Sequence, residues 1–395
     1  MRIAIVQPIV SLSGAGIVVM GLGKDLLAQG HDVHIITWEI KPPIPKEFSS
    51  LPYIYPKKVL IRNTFLKHTL ITDVVSIIPF LRKELSNIID NYDIINPHTY
   101  PSYLAAAFFA YKKPVVWTCN EIWPDYLNLF IGENFLRMLN KKITSTLVRP
   151  FDINIVKKYI HVILVLSRWM KQRVKQVYDK EAVIIRTPVN NVFLEKGNPS
   201  SAITKYRLEN KFIVLHAGWI HGEKNPLTSL YATYLAAKKI PNIVLIFAGP
   251  GHMRGYIEKK AAQLGIKDKV LFTGLISQEE LRDLYAACNV NLFIPSKHAW
   301  GLVPFEALAQ GKISIVSSNT GAAELILDYD IGIVTDPIPK KIAEHIIRIY
   351  KNPDSFEDKV KRGQEFVKKE LTRATYVKKM IKIFEDVLAG RKITS

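Results

Sequence analysis

The segment IPSKHAWGLVPFEALAQGKISIVSSNTGAAE, from Ile294 to Glu324, carries the densest chemistry in the chain. Pro295 and Ser296 open a loop after an apolar run, and Gly301, Leu302 and Val303 lead into a helix with Pro304 in its first turn and Glu306 just behind it. The first amides of a helix have no partner within it, so those of Gly301 and Leu302 are expected to point at an anion. A carboxylate beside them accepts two hydrogen bonds and suits a pair of sugar hydroxyls. Thr320, Gly321 and Glu324 repeat the device after the next apolar run. Either glutamate taken alone reads first as a helix-capping charge.

Upstream, LHAGWIHGEKNP places Gly218 in a turn and Lys224 at the start of a helix, where an ammonium can neutralise a departing diphosphate. A lone lysine there is also an ordinary solvated helix residue. IFAGPGH repeats the turn with Gly249 and Gly251, which allow close backbone approach. Near the N-terminus, Gly14 and Gly16 of SLSGAGIVV fall in a loop before a helix, a turn that serves an anion or only sterics; their spacing is not the dinucleotide fingerprint. DIINPHTYP puts His98 just after an apolar run, and VVWTCNEIWPD does the same for Asn120, with the acids Glu121 and Asp125 nearby.

The elements that must hold these residues follow from the pattern. Short β-branched runs at 3–6, 33–37, 94–96, 115–118, 162–166 and 183–185, then at 212–216, 244–248, 270–273, 290–294 and 313–316, alternate with helical stretches. That alternation predicts an α/β fold: two doubly wound, Rossmann-like domains of parallel strands facing a cleft, with C-terminal helices. RTPVNNVFLEKGNPSS, residues 186–201, reads as the linker. The expected division is an N-terminal domain over 1–188, a second over 189–372, and a final helix over 373–395 packing back on the first. Helices are expected near 340–350, 355–370 and 374–388. In such sheets ligands bind at the carboxyl ends of the strands, which is where every residue named above falls.

With 395 residues and 48% hydrophobic content the chain can build two cores. No apolar run is long enough to span a bilayer and the start reads as a first strand, so a cytoplasmic protein is expected. Cys119 and Cys288 are far apart and lack metal-ligand spacing. The net charge of +19 favours phosphates, anionic lipid or nucleic acid. Between Arg137 and Lys175 stand ten basic residues and one acid, Asp152, interleaved with Phe135, Leu139, Leu147, Phe151, Ile155 and Trp169 around or within the run. That mixture, and a second basic stretch over 57–68, suits an anionic membrane surface or a solvated lysine-rich face.

Taken in register, the 218–224 run, the GPG turn, FTG at Phe272 to Gly274, IPS, GLVPFEALAQG and TGAAE resemble the family-4 retaining glycosyltransferases of GT-B fold. The resemblance covers residues 1 to about 335. It implies that Glu306 holds ribose hydroxyls, that Lys224 and the Gly301 and Leu302 amides hold a diphosphate, that Gly14 and Gly16 line its phosphate side, and that Glu324 orders the pocket. It extends the donor pocket to Gly218, Trp219, Gly249, Gly274, Pro295 and Val303. His98, Asn120 and Glu121 fall to the acceptor side, and Lys224, His298, Glu306 and His98 to the reacting groups.

Three positions depart from the family. His298 stands where a first glutamate is usual, and can bond a sugar hydroxyl or, when protonated, a phosphate oxygen. Trp219 replaces a common arginine, for which Arg254 or His221 would substitute, and Asn120 replaces a common histidine. The expected activity is transfer, with retention, of a sugar from a nucleotide diphosphate sugar to a saccharide or lipid-linked acceptor at an anionic membrane face, without metal or cofactor. A sugar-nucleotide epimerase of the same fold and a catalytically reduced homologue are the alternatives, and no nucleic-acid motif is present.

Overall fold

The computed structural model describes residues 1–55, 77–122 and 149–393. The basic stretch at 57–68, the basic residues before Arg149, and Asp125 lie outside them. The described chain divides into two compact units, one of residues up to Pro188 together with 373–393, the other Val189–Thr372.

In the first unit, strands β1 (Arg2–Val6), β2 (Ile9–Val10), β3 (Asp32–Ile36), β4 (Glu39–Ile40), β5 (Tyr53–Ile54), β6 (Ile94–Pro97), β7 (Val116–Cys119), β8 (Val162–Val165) and β9 (Val183–Ile184) follow in sequence. A sheet ordered β5-β3-β1-β6 continues through parallel bridges at Ile95–Val115 and His98–Thr118 into β7-β8-β9. β2 and β4 form a separate pair. In the second unit, β10 (Phe212–Ala217), β11 (Ile243–Ala248), β12 (Val270–Phe272), β13 (Val290–Phe293), β14 (Ser314–Ser317) and β15 (Ile333–Thr335) order as β12-β11-β10-β13-β14-β15. All recorded pairings are parallel. The chain therefore reverses its direction of winding between β1 and β6 in one unit and between β10 and β13 in the other. Loops leaving adjacent strands diverge to opposite faces there and open a crevice at the carboxyl edge.

Buried strands explain why the apolar runs were visible: β10 and β11 are buried along their full lengths. The two-residue strands β2, β4 and β5, and β15, are not anticipated, being too short and only partly buried for periodicity to register. The 186–201 linker is shorter than its composition suggests. The Asn198 side chain accepts from the Ser201 amide at 3.3 Å, capping a helix at Pro199–Tyr206. Two further corrections concern site residues. Gly14 and Gly16 are in the first turn of the helix Gly14–Ala28, because Ser13 caps it by accepting from the Gly16 amide at 3.2 Å. Lys224 ends a 3-10 turn, Gly222–Lys224, and the helix proper starts at Pro226 after Asn225 turns left-handed at φ 58°.

The last helix, Arg373–Leu388, belongs to the first unit's core. Tyr376, Val377, Met380, Ile383 and Phe384 pack with Ile3, Ile5, Val19, Leu22 and Ile35. Arg373, only 11% exposed, anchors it: Nε donates to Asp25 at 2.9 Å, a second nitrogen bonds the other Asp25 oxygen, and the guanidinium lies over the Phe48 ring. Replacing Arg373 by Ala leaves Asp25 without its partner and should cost about 1–3 kcal/mol in urea unfolding. An unchanged midpoint would show that the apolar contacts alone seat the helix.

Candidate active site

Three loops at the carboxyl edge of the second sheet are laced by main-chain hydrogen bonds. Ser296, after β13, donates its amide to the Glu223 carbonyl in the turn that ends at Lys224, at 3.2 Å. Two residues on, the His298 amide bonds the Asn319 carbonyl at 3.1 Å, and the Gly321 amide returns to the His298 carbonyl at 2.9 Å. The loops after β10, β13 and β14 thus form one wall beside the reversal point. Gly301 closes it: its φ is +148°, and a Cβ there would lie 2.2 Å from Cζ of Phe293. No other residue fits that contact. The loop then delivers the amides of Gly301, Leu302 and Val303 in succession, and none of them has a hydrogen-bond acceptor among the described residues. Such amides are satisfied by solvent or by a ligand's oxygens.

Lys224 stands 3.4 Å from Glu223 on this wall. Burial lowers its pKa, so its ammonium gains from any further anion, and its charge in turn depresses His216 and His298. Glu306 follows one turn into the helix Val303–Ala309. Burial drives its carboxyl up to about 7, while the Tyr285 hydroxyl, donating to Oε2 at 2.8 Å, opposes the rise. Tyr285 is a positioning residue that the sequence pattern did not single out. It lies on the helix Gln278–Ala287, its ring edge-on to Phe193, and looks in sequence like any core aromatic.

His298 has burial and Lys224 pushing its pKa down to about 3, so near neutral pH it is an uncharged imidazole. Nδ1 lies 2.9 Å from the Trp300 carbonyl, which only accepts, and 3.4 Å from the Trp300 amide; the shorter contact puts the proton on Nδ1 and leaves Nε2 its lone pair. Of the two roles open to it, accepting from a sugar hydroxyl fits this state and donating to a phosphate oxygen does not. Glu324 sits in the first turn of the helix Ala322–Asp328, beyond the buried Thr320.

The proposed substitutes for an arginine at Trp219 are otherwise engaged. Arg254 pairs with Glu258 at 2.7 Å over the Phe272 ring, and His221, lowered by burial, stacks on Trp219 itself. Gly218 lies at φ +121° with open space around it, and Gly274 at +69° after β12. Pro295 is buried. Gly249 serves a loop contact: a Cβ there would meet the Gly218 carbonyl oxygen at 2.3 Å.

In the first unit, Gly16 is pressed against the chain, where a Cβ would lie 2.2 Å from the Ser11 carbonyl oxygen, whereas Gly14 faces open space. His98 is fully buried after β6. Its Nε2 donates to Asn96 Oδ1 at 2.8 Å, and the Asn96 amide is held by the Val116 carbonyl and Thr118. Burial lowers His98 to about 3 and leaves Nδ1 as an acceptor with no partner among the described residues. Asn120 and Glu121 follow β7; the Glu121 carbonyl accepts from the Cys119 thiol. Among the described residues no three or more His, Cys, Asp or Glu side chains converge as a metal site.

The family described as Glycosyl transferases group 1 matches residues 202–366, and Glycosyltransferase Family 4 matches 12–192. This chain belongs to the group 1, family-4 glycosyltransferases. An uncharacterized glycosyltransferase of Bacillus subtilis is 24% identical to it over 50% of the chain and 54% of that protein's own length. Another, of Methanocaldococcus jannaschii, is 24% identical over 87% of the chain and 83% of that protein. The solved structure of HepE from Anabaena in complex with UDP and glucose superposes with a TM-score of 0.76 at 16% identity, covering 98% of this chain and all of that one. That likeness shows the GT-B fold.

Glu306 gives this glycosyltransferase a titratable signature. Its folded value of about 7 exceeds the ordinary 4.5. The stability tied to the protonated form is therefore complete below about 4.5 and lost as pH rises through about 7. Relative to wild type, Glu306→Gln should gain stability across that window, and Tyr285→Phe should deepen the wild-type loss. Urea unfolding at a series of pH values reads both, and parallel curves for all three proteins would contradict the assignment.

Proposed function

We propose that this enzyme transfers a sugar from a nucleotide diphosphate sugar to a saccharide or lipid-linked acceptor. The observation that carries the reading is the placement of three unpaired amides at 301–303, the half-buried Lys224 and the half-buried Glu306 at the carboxyl edge of the second sheet. The amides and the ammonium suit the oxygens of a diphosphate, and Glu306 suits a ribose diol. Charge that accumulates on a leaving diphosphate is then met by groups already in place, which lowers the barrier without reorganisation. His298 Nε2 is a neutral acceptor for a sugar hydroxyl. The UDP and glucose bound by the structurally similar Anabaena protein agree with this donor class.

The reaction is proposed to need no metal or cofactor and to retain the anomeric configuration. Retention follows the family resemblance: the leaving phosphate oxygen takes the acceptor's proton on the face from which the nucleotide departs. Assay with nucleotide sugars, with and without saccharide acceptors and with EDTA, tests these points together. Product should require an acceptor, survive EDTA, and show the donor's anomeric coupling by proton NMR. Conversion of the nucleotide sugar alone would identify an epimerase instead. Lys224→Met should weaken nucleoside diphosphate binding about 10- to 100-fold, since it removes a charge-assisted contact. Equal thermal stabilisation of Lys224→Met and wild type by UDP or GDP would count against the site.

A lipid-linked acceptor is favoured by what becomes of the basic segment. Its one acid, Asp152, is fully buried, with Tyr103 bonding one oxygen and Tyr178 the other at 2.9 Å. That leaves the outward side to Arg149, Lys157, Lys158 and a Phe151 that is 61% exposed, although Lys157 and Lys175 also meet Asp179. We place the enzyme peripherally on an anionic cytoplasmic membrane face; among the described residues no helix is long and apolar enough to cross a bilayer. Sedimentation with phosphatidylglycerol vesicles at low salt should capture it, and Phe151→Asp should release most of it. Failure of wild type to bind would remove the membrane from the proposal.

A further inference from the structure

The loops after β10 and β11 are built as one shelf. The Gly249 contact already described is matched by Gly251, where a Cβ would fall 2.4 Å from the Ile220 carbonyl oxygen. Hydrogen bonds from the Gly218 amide to Ala248, from Ile220 to Pro250 and from Met253 back to Ile220, at 2.9, 2.9 and 3.2 Å, stitch the two backbones together. Three rings stand on this shelf. Trp219 stacks on His221 with centroids 5.3 Å apart and planes 15° apart, and His221 stacks on His252 at 5.0 Å and 25°, their Nδ1 atoms 3.1 Å from one another.

Trp219 is backed by this ladder and is still 55% exposed. A large indole held in one orientation loses little further freedom when a ligand lands on it, which is the economy of rigid aromatic contacts. The surface it offers carries no formal charge: His221 is held towards its neutral form by burial and by His252. The anion-binding groups stand elsewhere, at Lys224 and the 301–303 amides. Much of the shelf's polar backbone is turned inward. The amides of Gly218 and Ile220 and the carbonyls of Trp219 and Ile220 are all consumed within it. The hydrophobic C–H face of a pyranose needs none of these, because its hydroxyls point outward around the rim of the ring.

We propose that Trp219 is a sugar-stacking platform, its open indole face taking the apolar face of a pyranose ring that belongs either to the donor or to a saccharide acceptor. This rests on the nucleotide-sugar reading above and specifies how the site grips its sugar.

Calorimetry on the full chain tests it, with UDP, GDP, UDP-glucose and GDP-mannose in one arm. The other arm uses methyl α-glucoside and methyl α-mannoside added to UDP-saturated protein. Against wild type, Trp219→Ala and Trp219→Leu should bind the saccharide-bearing ligands of one arm about three- to tenfold more weakly. Trp219→Phe should recover most of the loss, and UDP and GDP should bind all four proteins alike. Loss confined to the nucleotide sugars assigns the ring to the donor, and loss confined to the glycosides assigns it to the acceptor. Unchanged saccharide binding in both non-aromatic variants overturns the platform, as does an equal loss for bare UDP and GDP. Wild type that binds the nucleotides but no saccharide in either arm also overturns it and leaves the nucleotide site standing. Wild type that binds neither nucleotides nor nucleotide sugars sinks the donor reading and the platform together.

Discussion

The main chain of His298 is the tie on which the second unit's site depends. Its amide and carbonyl clasp the loop after β14 on both sides of Thr320, while Ser296, two residues earlier, clasps the turn that bears Lys224. Because the backbone ties the three loops, the imidazole at 298 has only a local task, its Nδ1 bonding the Trp300 carbonyl while Nε2 stays unused among the described residues. That accounts physically for how an imidazole can occupy the place of the family's usual carboxylate without disturbing Gly301 or Glu306. The exchange alters the electrostatics more than the shape. A carboxylate would repel a diphosphate and accept several hydroxyls, whereas a neutral imidazole accepts one bond and repels nothing.

The positive charge of the crevice is correspondingly concentrated. Lys224 depresses three histidines around it, His216, His221 and His298, so those rings contribute hydrogen bonding and bulk while the ammonium and the unpaired amides carry the positive character. Glu306 is the counterweight. Its burial raises the carboxyl to about 7, and the Tyr285 hydroxyl opposes that rise. If Glu306 engages a ribose diol, as proposed, ligand affinity and local stability are coupled through one carboxyl group.

Much of this was legible in the residues. Buried parallel strands leave uninterrupted β-branched runs, and a glycine followed by Pro304 and Glu306 marks a strand-to-helix crossing with free amides. What stayed hidden were relations between distant segments. Tyr285 is a helix aromatic until the fold brings it to Glu306, and the glycines at 249 and 251 announce close approach without saying to what. Capping chemistry at Ser13 and Asn198 moved two element starts, because a side-chain oxygen decides where a helix begins as much as the apolar period does. Short strands such as β5 and β15 carry too few residues to show a period at all.

The seating of the final helix has a bearing on how the protein is made. The first unit's opening strand and helix precede the second unit in the chain but its core includes Tyr376, Met380 and Phe384, so the surface around Ile3, Val19 and Leu22 waits uncovered while the whole second unit is synthesised and can fold. A ribosome-bound chain would thus complete its second unit before its first, and a premature stop between Thr372 and Phe384 would yield a complete second unit joined to an adhesive first one.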